Sequence, residues 1–353
     1  MADATVDRWV GLPISPLTRR RLEMFKRNRR GTISLWILGA LFALSLCAEV
    51  VANDRPILLY HQGSLYTPVF ATYPETTFGG EFETEAEYLD PHVQRLIAQA
   101  GGWMLWPPIH FHHDTIDLYL DTTAPAPPSP RHWLGTDDVG RDLAARLIYG
   151  FRLSLLFGLL LTTISTLIGV TAGAVQGYFG GIVDITFQRV IEIFSGMPVL
   201  FLLIILASVV EPGFVTLLML LVLFGWLSLV GVVRAEFLRG RKLDYVRAAR
   251  AMGTRDWTTM RRHVLPNAAV AALTFLPFVL AGSITTLTAL DFLGLGLPIG
   301  SPSIGEILQQ GKNNLWAPWI GLAGFTTLSV MLTLIIFISE AVRDAFDPRK
   351  NAA

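Results

Sequence analysis

Cysteine is almost absent from this chain: Cys47 is the only one among 353 residues. No intrachain disulfide can form, and Cys47 reads as a small apolar filler inside a helix. Charge is scarce as well. Asp, Glu, Lys and Arg make up 16% of the residues against 52% hydrophobic, with a net charge of zero, and no nucleic-acid partner is expected. There is also no Gly-x-x-x-x-Gly-Lys-Ser/Thr segment, so the chain cannot cradle ATP phosphates in the usual loop.

What the chain does have is apolar residues gathered into long runs. A bilayer core of roughly 30 Å takes roughly 20 apolar residues per helix, and about six segments qualify: 32–51, 153–175, 185–210, 214–233, 268–290 and 319–338. Arg189 and Glu192 at the start of the third imply that its membrane portion begins near Ile193, or that both side chains face protein or water. The expected fold is an all-α polytopic membrane protein of about six transmembrane helices, with an extracytoplasmic insertion between the first two.

Basic residues set the orientation. Arg8, Arg19, Arg20, Arg21, Lys26, Arg27, Arg29 and Arg30 crowd residues 1–31, whereas the segment after the first helix is rich in Glu and Asp. The N-terminus is therefore expected in the cytoplasm, and an even number of crossings returns the C-terminal residues 341–353, with Arg343, Arg349 and Lys350, to the same side. The first helix, with its long basic flank and apolar run of spanning length, reads as a retained anchor rather than a cleaved signal.

The most informative stretch lies in the polar loop 234–267. It runs Asp-Tyr-Val-Arg-Ala-Ala-Arg-Ala-Met-Gly from Asp244 to Gly253, with a proline at Pro266. Tyr245, Ala248, Ala249 and Met252 recur at helical spacing as an apolar stripe, with Arg247, Arg250 and Arg255 away from it. Asp244 is expected to cap the helix and Gly253 to stop it. The alanines leave a smooth surface, so the helix reads either as a knob for another protein or as an amphipathic segment resting on lipid headgroups.

Residues 52–132 read as a small folded cap. Glu81, Glu83, Glu85, Glu87 and Asp90 form an acidic run expected to be a solvated face, and His110, His112, His113 and Asp114 form a cluster. Alternation on a strand would place His110 and His112 on one face and His113 on the other, and no fourth ligand is evident, so no metal site is expected. The Pro-rich segment 124–130 is expected to be a stiff stalk. Residues 133–150 follow as an amphipathic helix lying along the outer membrane surface, capped by Thr136, with Asp137 and Asp138 in its first turn and Val139, Leu143, Leu147 and Ile148 as its apolar stripe. The membrane region proper runs from 151 to 340. In its first helix Gly169, Gly173 and Gly177 make a groove for close packing, either against the chain's own helices or against a second protein.

Several of these residues carry a family resemblance. The segment 132–155, with Leu-Gly-Thr-Asp-Asp-Val-Gly-Arg-Asp from Leu134 to Asp142, resembles a signature of the permease subunits of dipeptide and oligopeptide ABC importers, which have the MetI-like fold. Residues 244–267 resemble their cytoplasmic coupling motif. Ala-Leu-Asp-Phe-Leu-Gly-Leu-Gly-Leu-Pro at 289–298 and Arg-Asp-Ala-Phe-Asp-Pro-Arg at 343–349 resemble later family stretches, in the same order. The long insertion, and Asp291 where many relatives have serine, are similar to the Yej-type branch that takes up microcin C and peptides. One departure stands out: Arg247 occupies the position of the motif's glutamate, whereas Ala248, Ala249, Gly253, Leu265 and Pro266 match.

The resemblance implies a non-enzymatic permease subunit supplying half of a translocation path for peptides or peptide-like compounds in a bacterial inner membrane. Its implied partners are a homologous second permease, two ATPase subunits or one fused ATPase, and a periplasmic solute-binding protein. ATP and Mg would be bound by those partners and no cofactor by this chain. The helix at 244–253, with Tyr245 and Arg247 on it, would sit in a cleft of the ATPase, and Glu192, Glu211 and Asp291 are the charges to examine along the path. Two other classes fit parts of the chain. A metal-dependent membrane enzyme would use His110, His112 and His113, and a channel or scaffold without energy coupling would leave the Ala248, Ala249 and Gly253 surface without a role.

Overall fold

The computed structural model describes residues 8–9, 12–13, 16–207, 210, 213–298 and 300–346; Glu211, Arg349 and Lys350 lie outside the described residues. Two short paired strands, β1 (Arg8–Trp9) and β2 (Leu12–Pro13), precede α1 (Pro16–Arg27), α2 (Arg29–Leu46) and α3 (Ala48–Val51). Then come β3 (Leu58–His61), β4 (Ser64–Tyr66), α4 (Pro91–Gln99) and β5 (Trp103–Leu105). After a long irregular stretch the remaining elements are helices: α5 (Leu143–Phe179), α6 (Gly181–Gly196), α7 (Val199–Ala207), α8 (Phe214–Gly225), α9 (Leu227–Gly240), α10 (Asp244–Ala251), α11 (Asp256–Thr259), α12 (Leu265–Phe292), α13 (Ile304–Asn313) and α14 (Pro318–Phe346).

Among the described residues, four helical stretches are long and apolar enough to cross a membrane, at 143–179, 214–240, 256–292 and 318–346; α6 with the start of α7 makes a fifth, bent by 69°. The bend corrects the straight span expected at 185–210. Pro198 follows Met197, whose backbone is extended (φ −80°, ψ 128°), because a residue before proline is pushed out of the helical region. The expected span 32–51 is also interrupted. α2 opens with Arg29 and Arg30 and stops at Leu46, and Cys47, in the break before α3, is exposed in the chain rather than a packed filler.

The chain divides into two compact units, one of residues 1–39, 157–285 and 330–353, the other of residues 40–156 and 286–329. In the first unit the glycines of α5 approach α9. A Cβ on Gly169 would lie 2.7 Å from the Trp226 carbonyl oxygen, on Gly173 2.8 Å from that of Val230, and on Gly177 2.6 Å from that of Arg234. These contacts are too short for any side chain, so the backbones can meet only because all three residues are glycine. The groove is filled by the chain's own helix. Below it Ala174, Tyr178, Val233, Phe237, Val246, Met260 and Val264 form one buried cluster.

The second unit holds the insertion, which is not helical throughout. An antiparallel sheet in the order β4-β3-β5 packs Leu59 against Phe78, Ala86, Tyr88, Val93 and Ile97. α4 starts where Asp90 accepts the His92 N–H at 2.7 Å with Pro91 in the first turn, a side-chain cap followed by a residue that needs no donor. The acidic run is solvated: Glu81, Glu83, Glu85 and Glu87 point outward while Ala86 and Tyr88 point in. The insertion is no free cap, because its Ile109 and Phe111 bury themselves with Ala48 and Ala52 against Ala144, Ala145 and Tyr149 of α5.

Two further expectations for this unit fail. The segment 124–130 is not a free stalk: Ala126 donates its N–H to the Thr136 hydroxyl (2.8 Å) and accepts the Thr136 N–H (2.9 Å). Nor is 133–150 a separate surface helix capped by Thr136. Gly135 and Gly140 take left-handed φ of +81° and +92°, which breaks any helix there. The helix starts later, at Leu143, where Asp142 accepts the Ala145 N–H at 2.8 Å as a first-turn cap. Leu143 and Leu147 are buried against Ile307, Ala317 and Ile320, while Val139 is exposed.

Candidate functional site

α10 stands on few contacts, each with a local cause. Leu243, not Asp244, is its N-cap, with no side-chain bond; Asp244 is the first helical residue, where its charge favours the positive end of the dipole. At the other end Gly253 has φ +82°. Its N–H bonds the Arg250 carbonyl (2.9 Å) and the Thr254 N–H bonds the Ala249 carbonyl (3.1 Å), the two bonds of a Schellman stop that glycine adopts without strain. Among the described residues nothing lies within 4 Å of a Cβ built on Gly253, so the constraint there is conformational, not steric.

The inward face differs from the expected stripe. Val246 and Ala249 are buried, and Arg250 lays its guanidinium 4.6 Å from the centroid of the Tyr178 ring. That leaves Tyr245 44% and Met252 79% exposed, with Ala248 also outward. The spacing points to a different face because Tyr245 and Met252 count as apolar in it, whereas the face that is buried carries Val246 and Ala249; Arg250 is itself exposed and reaches Tyr178 through its guanidinium. Trp257, on α11, is 63% exposed as well, and no periodicity drew attention to it. Arg247 faces solvent and pairs with Asp244, 3.8 Å away, a pair of little energetic weight at such exposure.

The supports beneath α10 are polar and were not legible in the sequence. The Tyr178 hydroxyl donates to Asp256 (2.8 Å) and accepts from Arg250 Nε (3.2 Å), while its carbonyl accepts from Arg241 (3.1 Å). Arg234 holds Asp184 through two bonds of 2.6 Å, the bidentate geometry that suits a guanidinium. The Tyr245 hydroxyl donates to the His263 carbonyl (3.2 Å) and accepts from Asn267 (3.0 Å), tying α10 to the start of α12. Between α11 and α12 the turn Met260–Val264 is a π-helix. Pro266, just inside α12, has no N–H for the carbonyl four residues back and its ring would strike that carbonyl, so the chain widens there. Leu265 packs against the buried cluster beneath α10, while Pro266 is exposed.

The charges proposed for a path separate. Glu192 is exposed and bound to Arg189 at 2.6 Å. Asp291 is buried and acts within its own loop: it accepts the Leu297 N–H at 2.8 Å and the Ser303 hydroxyl. A Cβ on Gly296 would collide with it. Asp291 therefore folds the 289–298 stretch around itself.

The second unit contains a denser polar centre. Asp137 accepts from the Arg141 side chain (2.7 Å) and N–H (2.9 Å), and from Arg146, a residue with no exposed surface. Arg146 also donates to the Ser301 carbonyl (3.0 Å) and meets Glu306 at 3.3 Å. Nearby, buried His132 bridges Asp142 (2.8 Å) and Asp117 (3.0 Å). Burial works against protonation of His132, but the hydrogen bonds to Asp142 and Asp117 outweigh it and hold its pKa above the ordinary value. The Leu134–Asp142 signature is thus a structural centre that fastens this loop to the 300–306 segment.

The histidines divide. His110 tilts over Trp106, with ring centroids 5.1 Å apart. His112 and His113 are together instead, their centroids 4.2 Å apart, and with Asp114 they could hold a metal ion, one ligand atom from each lying within 4.8 Å of the others. The strand alternation that argued against this does not apply, because residues 110–114 are not in a strand. Burial, aided by neighbouring His112, pushes the His113 pKa down to about 4.

The family model described as "Binding-protein-dependent transport system inner membrane component" matches residues 165–352. The chain is 56% identical over 337 residues to "Inner membrane ABC transporter permease protein YejE" of Escherichia coli (strain K12), covering 96% of this chain and 98% of that protein. It is 54% identical to "Peptidoglycan transport system permease protein YejE" of Agrobacterium fabrum (strain C58 / ATCC 33970), covering 96% and 94%. A more distant relative is "Dipeptide transport system permease protein DppC" of Bacillus subtilis (strain 168), 33% identical over 63% of this chain and 70% of that one. Spanning helices, polar helical loop and matched profile agree: the chain belongs to the inner-membrane permease components of binding-protein-dependent ABC transporters.

Proposed function

We propose that this chain forms half of the translocation path of an ATP-driven importer of peptides or peptide-bearing compounds, the class that includes peptidoglycan fragments and microcin C-like molecules. α10 is its contact with the ATPase. The observation that carries the reading is a short helix, held by Val246 and Ala249 from within, that leaves Tyr245 and Met252 exposed, as is Trp257 of the following α11. Exposed apolar groups rimmed by polar residues mark a protein interface. Since this chain has no phosphate-binding loop, ATP and Mg belong to the partner subunits. A second homologous permease completes the path, and an external solute-binding protein delivers the substrate.

Both termini and the 234–267 loop lie in the cytoplasm, as the basic residues around them favour. Closure of the ATPases on ATP would then be passed through α10 to α9 and α12, with differential contacts at α10 shifting the population toward an outward-open state. The test is purification of the intact complex carrying Gly253→Asp. The expected result is normal membrane abundance, loss of the copurifying ATPase and loss of ATP-driven uptake; unchanged uptake would sink the assignment of α10.

A further inference from the structure

His112, His113 and Asp114 are built into one place by their surroundings. The His112 N–H donates to the Thr115 hydroxyl at 3.3 Å, and that hydroxyl donates to Asp54 at 2.6 Å. The turn so formed sends two consecutive histidines the same way. Both imidazoles stand edge-on to Tyr149, at 4.9 and 4.8 Å between centroids, and the Tyr149 hydroxyl is anchored on the Ala52 carbonyl at 3.1 Å. Asp114 reaches back to His112 Nδ1 in a very close contact. The Nδ1 atom of His113 is buried and has no hydrogen-bond partner among the described residues, whereas buried polar nitrogens ordinarily have one. Two imidazoles tilted against each other, a carboxylate drawn against one and an unsatisfied nitrogen on the other make a donor set without an acceptor.

We propose that these three side chains form a divalent transition-metal site, of zinc type, on the 52–132 segment. Imidazole nitrogen and carboxylate oxygen suit zinc, and three protein ligands leave one position for water or for a donor group brought by another molecule. With zinc–ligand bonds of about 2.0–2.2 Å, neighbouring ligand atoms stand roughly 3.4 Å apart. Small side-chain rotations reach that from the present spread, which stays within 4.8 Å. The ion has a route in, because Asp114 is exposed and lines, with Asp54, Thr115, Asp117 and Arg131, a cavity of about 510 Å³. The adjoining Arg152 is matched by Glu49 at 2.7 Å, so its charge is already answered.

The test uses the full chain in its transporter complex, purified through a tag without histidine, stripped with chelator and dialysed against zinc. Bound metal is then measured by mass spectrometry. The wild type is expected to retain about one zinc per chain more than the His112→Ala/His113→Ala double variant. His110→Ala should match the wild type, and Asp114→Asn should weaken retention by about tenfold or more. Equal zinc in wild type and double variant, or no zinc in the wild type, overturns the proposal. Should the double variant fail to fold, cobalt decides on the wild type: an intense visible spectrum of low-coordinate cobalt supports the site, and the weak spectrum of hydrated cobalt overturns it. Neither readout depends on transport, so the importer reading stands or falls separately.

Discussion

Around α10 the apolar groups Tyr245, Met252 and Trp257 are left outside, whereas around Asp137 the charges of Arg141 and Arg146 are taken inside. Both regions lie in segments that the family signatures pick out, yet they use their residues in opposite ways. Asp137 answers its two arginines, and Glu306 and the Ser301 carbonyl take up further guanidinium donors, leaving the buried Arg146 Nε without a partner among the described residues. That centre is buried, and its ion pairs hold the loop. α10 is buried only on its inner side, and on the reading proposed above its exposed outer side is the part that meets another molecule. A family signature in a transport subunit therefore does not by itself mark contact with substrate or partner. The exposure of its residues distinguishes the two cases.

The sharpest break of this contrast is Asp137→Asn. It leaves Arg146 buried beside a neutral group, and removing one partner of a buried ion pair costs about 3–5 kcal/mol. Loss of protein from the membrane, or a much lower unfolding temperature in detergent, is the expected outcome. Gly253→Asp comes next: a left-handed conformation costs a residue with Cβ about 1–2 kcal/mol, so the chain should persist while ATP-driven uptake is lost.

A third prediction uses pH. The folded-state pKa of His132 is raised above its unfolded value, so its contribution to stability is full below about 6.5 and is lost as pH rises through the higher folded value. Unfolding of the wild type should thus be easier above that window than below it, and His132→Gln should flatten this part of the pH profile. The smallest effect on stability belongs to Met252→Ala. An exposed substitution of this kind changes stability by roughly 0.5 kcal/mol or less, but it should lower the yield of copurified ATPase.

The membrane character, the polar helical loop and the glycine groove were legible in the sequence because each depends on local spacing. Apolar runs, glycines every fourth residue and a glycine stop need no knowledge of what lies across the fold. The rest depends on distant partners. Nothing near Tyr178 announces that its hydroxyl meets Asp256 and Arg250, and nothing near Asp291 shows that Ser303 will satisfy it. The buried face of α10 is set at a distance in the same way, since Val246 clusters with Met260 and Val264, which are reached only after the chain turns back. The left-handed turns at Gly135 and Gly140 are masked in the sequence because the acids between them and the apolar spacing imitate a helix start.

The most direct test of the docking claim is a cross-link. With Cys47→Ser removing the native thiol, Ala248→Cys would be introduced and native membranes treated with a short thiol-to-amine reagent. The expected product is one adduct, of this chain with the ATPase, abolished by adding Gly253→Asp. An Ala248→Cys thiol that never joins the ATPase, and that is alkylated equally with and without it, would contradict the claim that the outer face of α10 is the coupling surface.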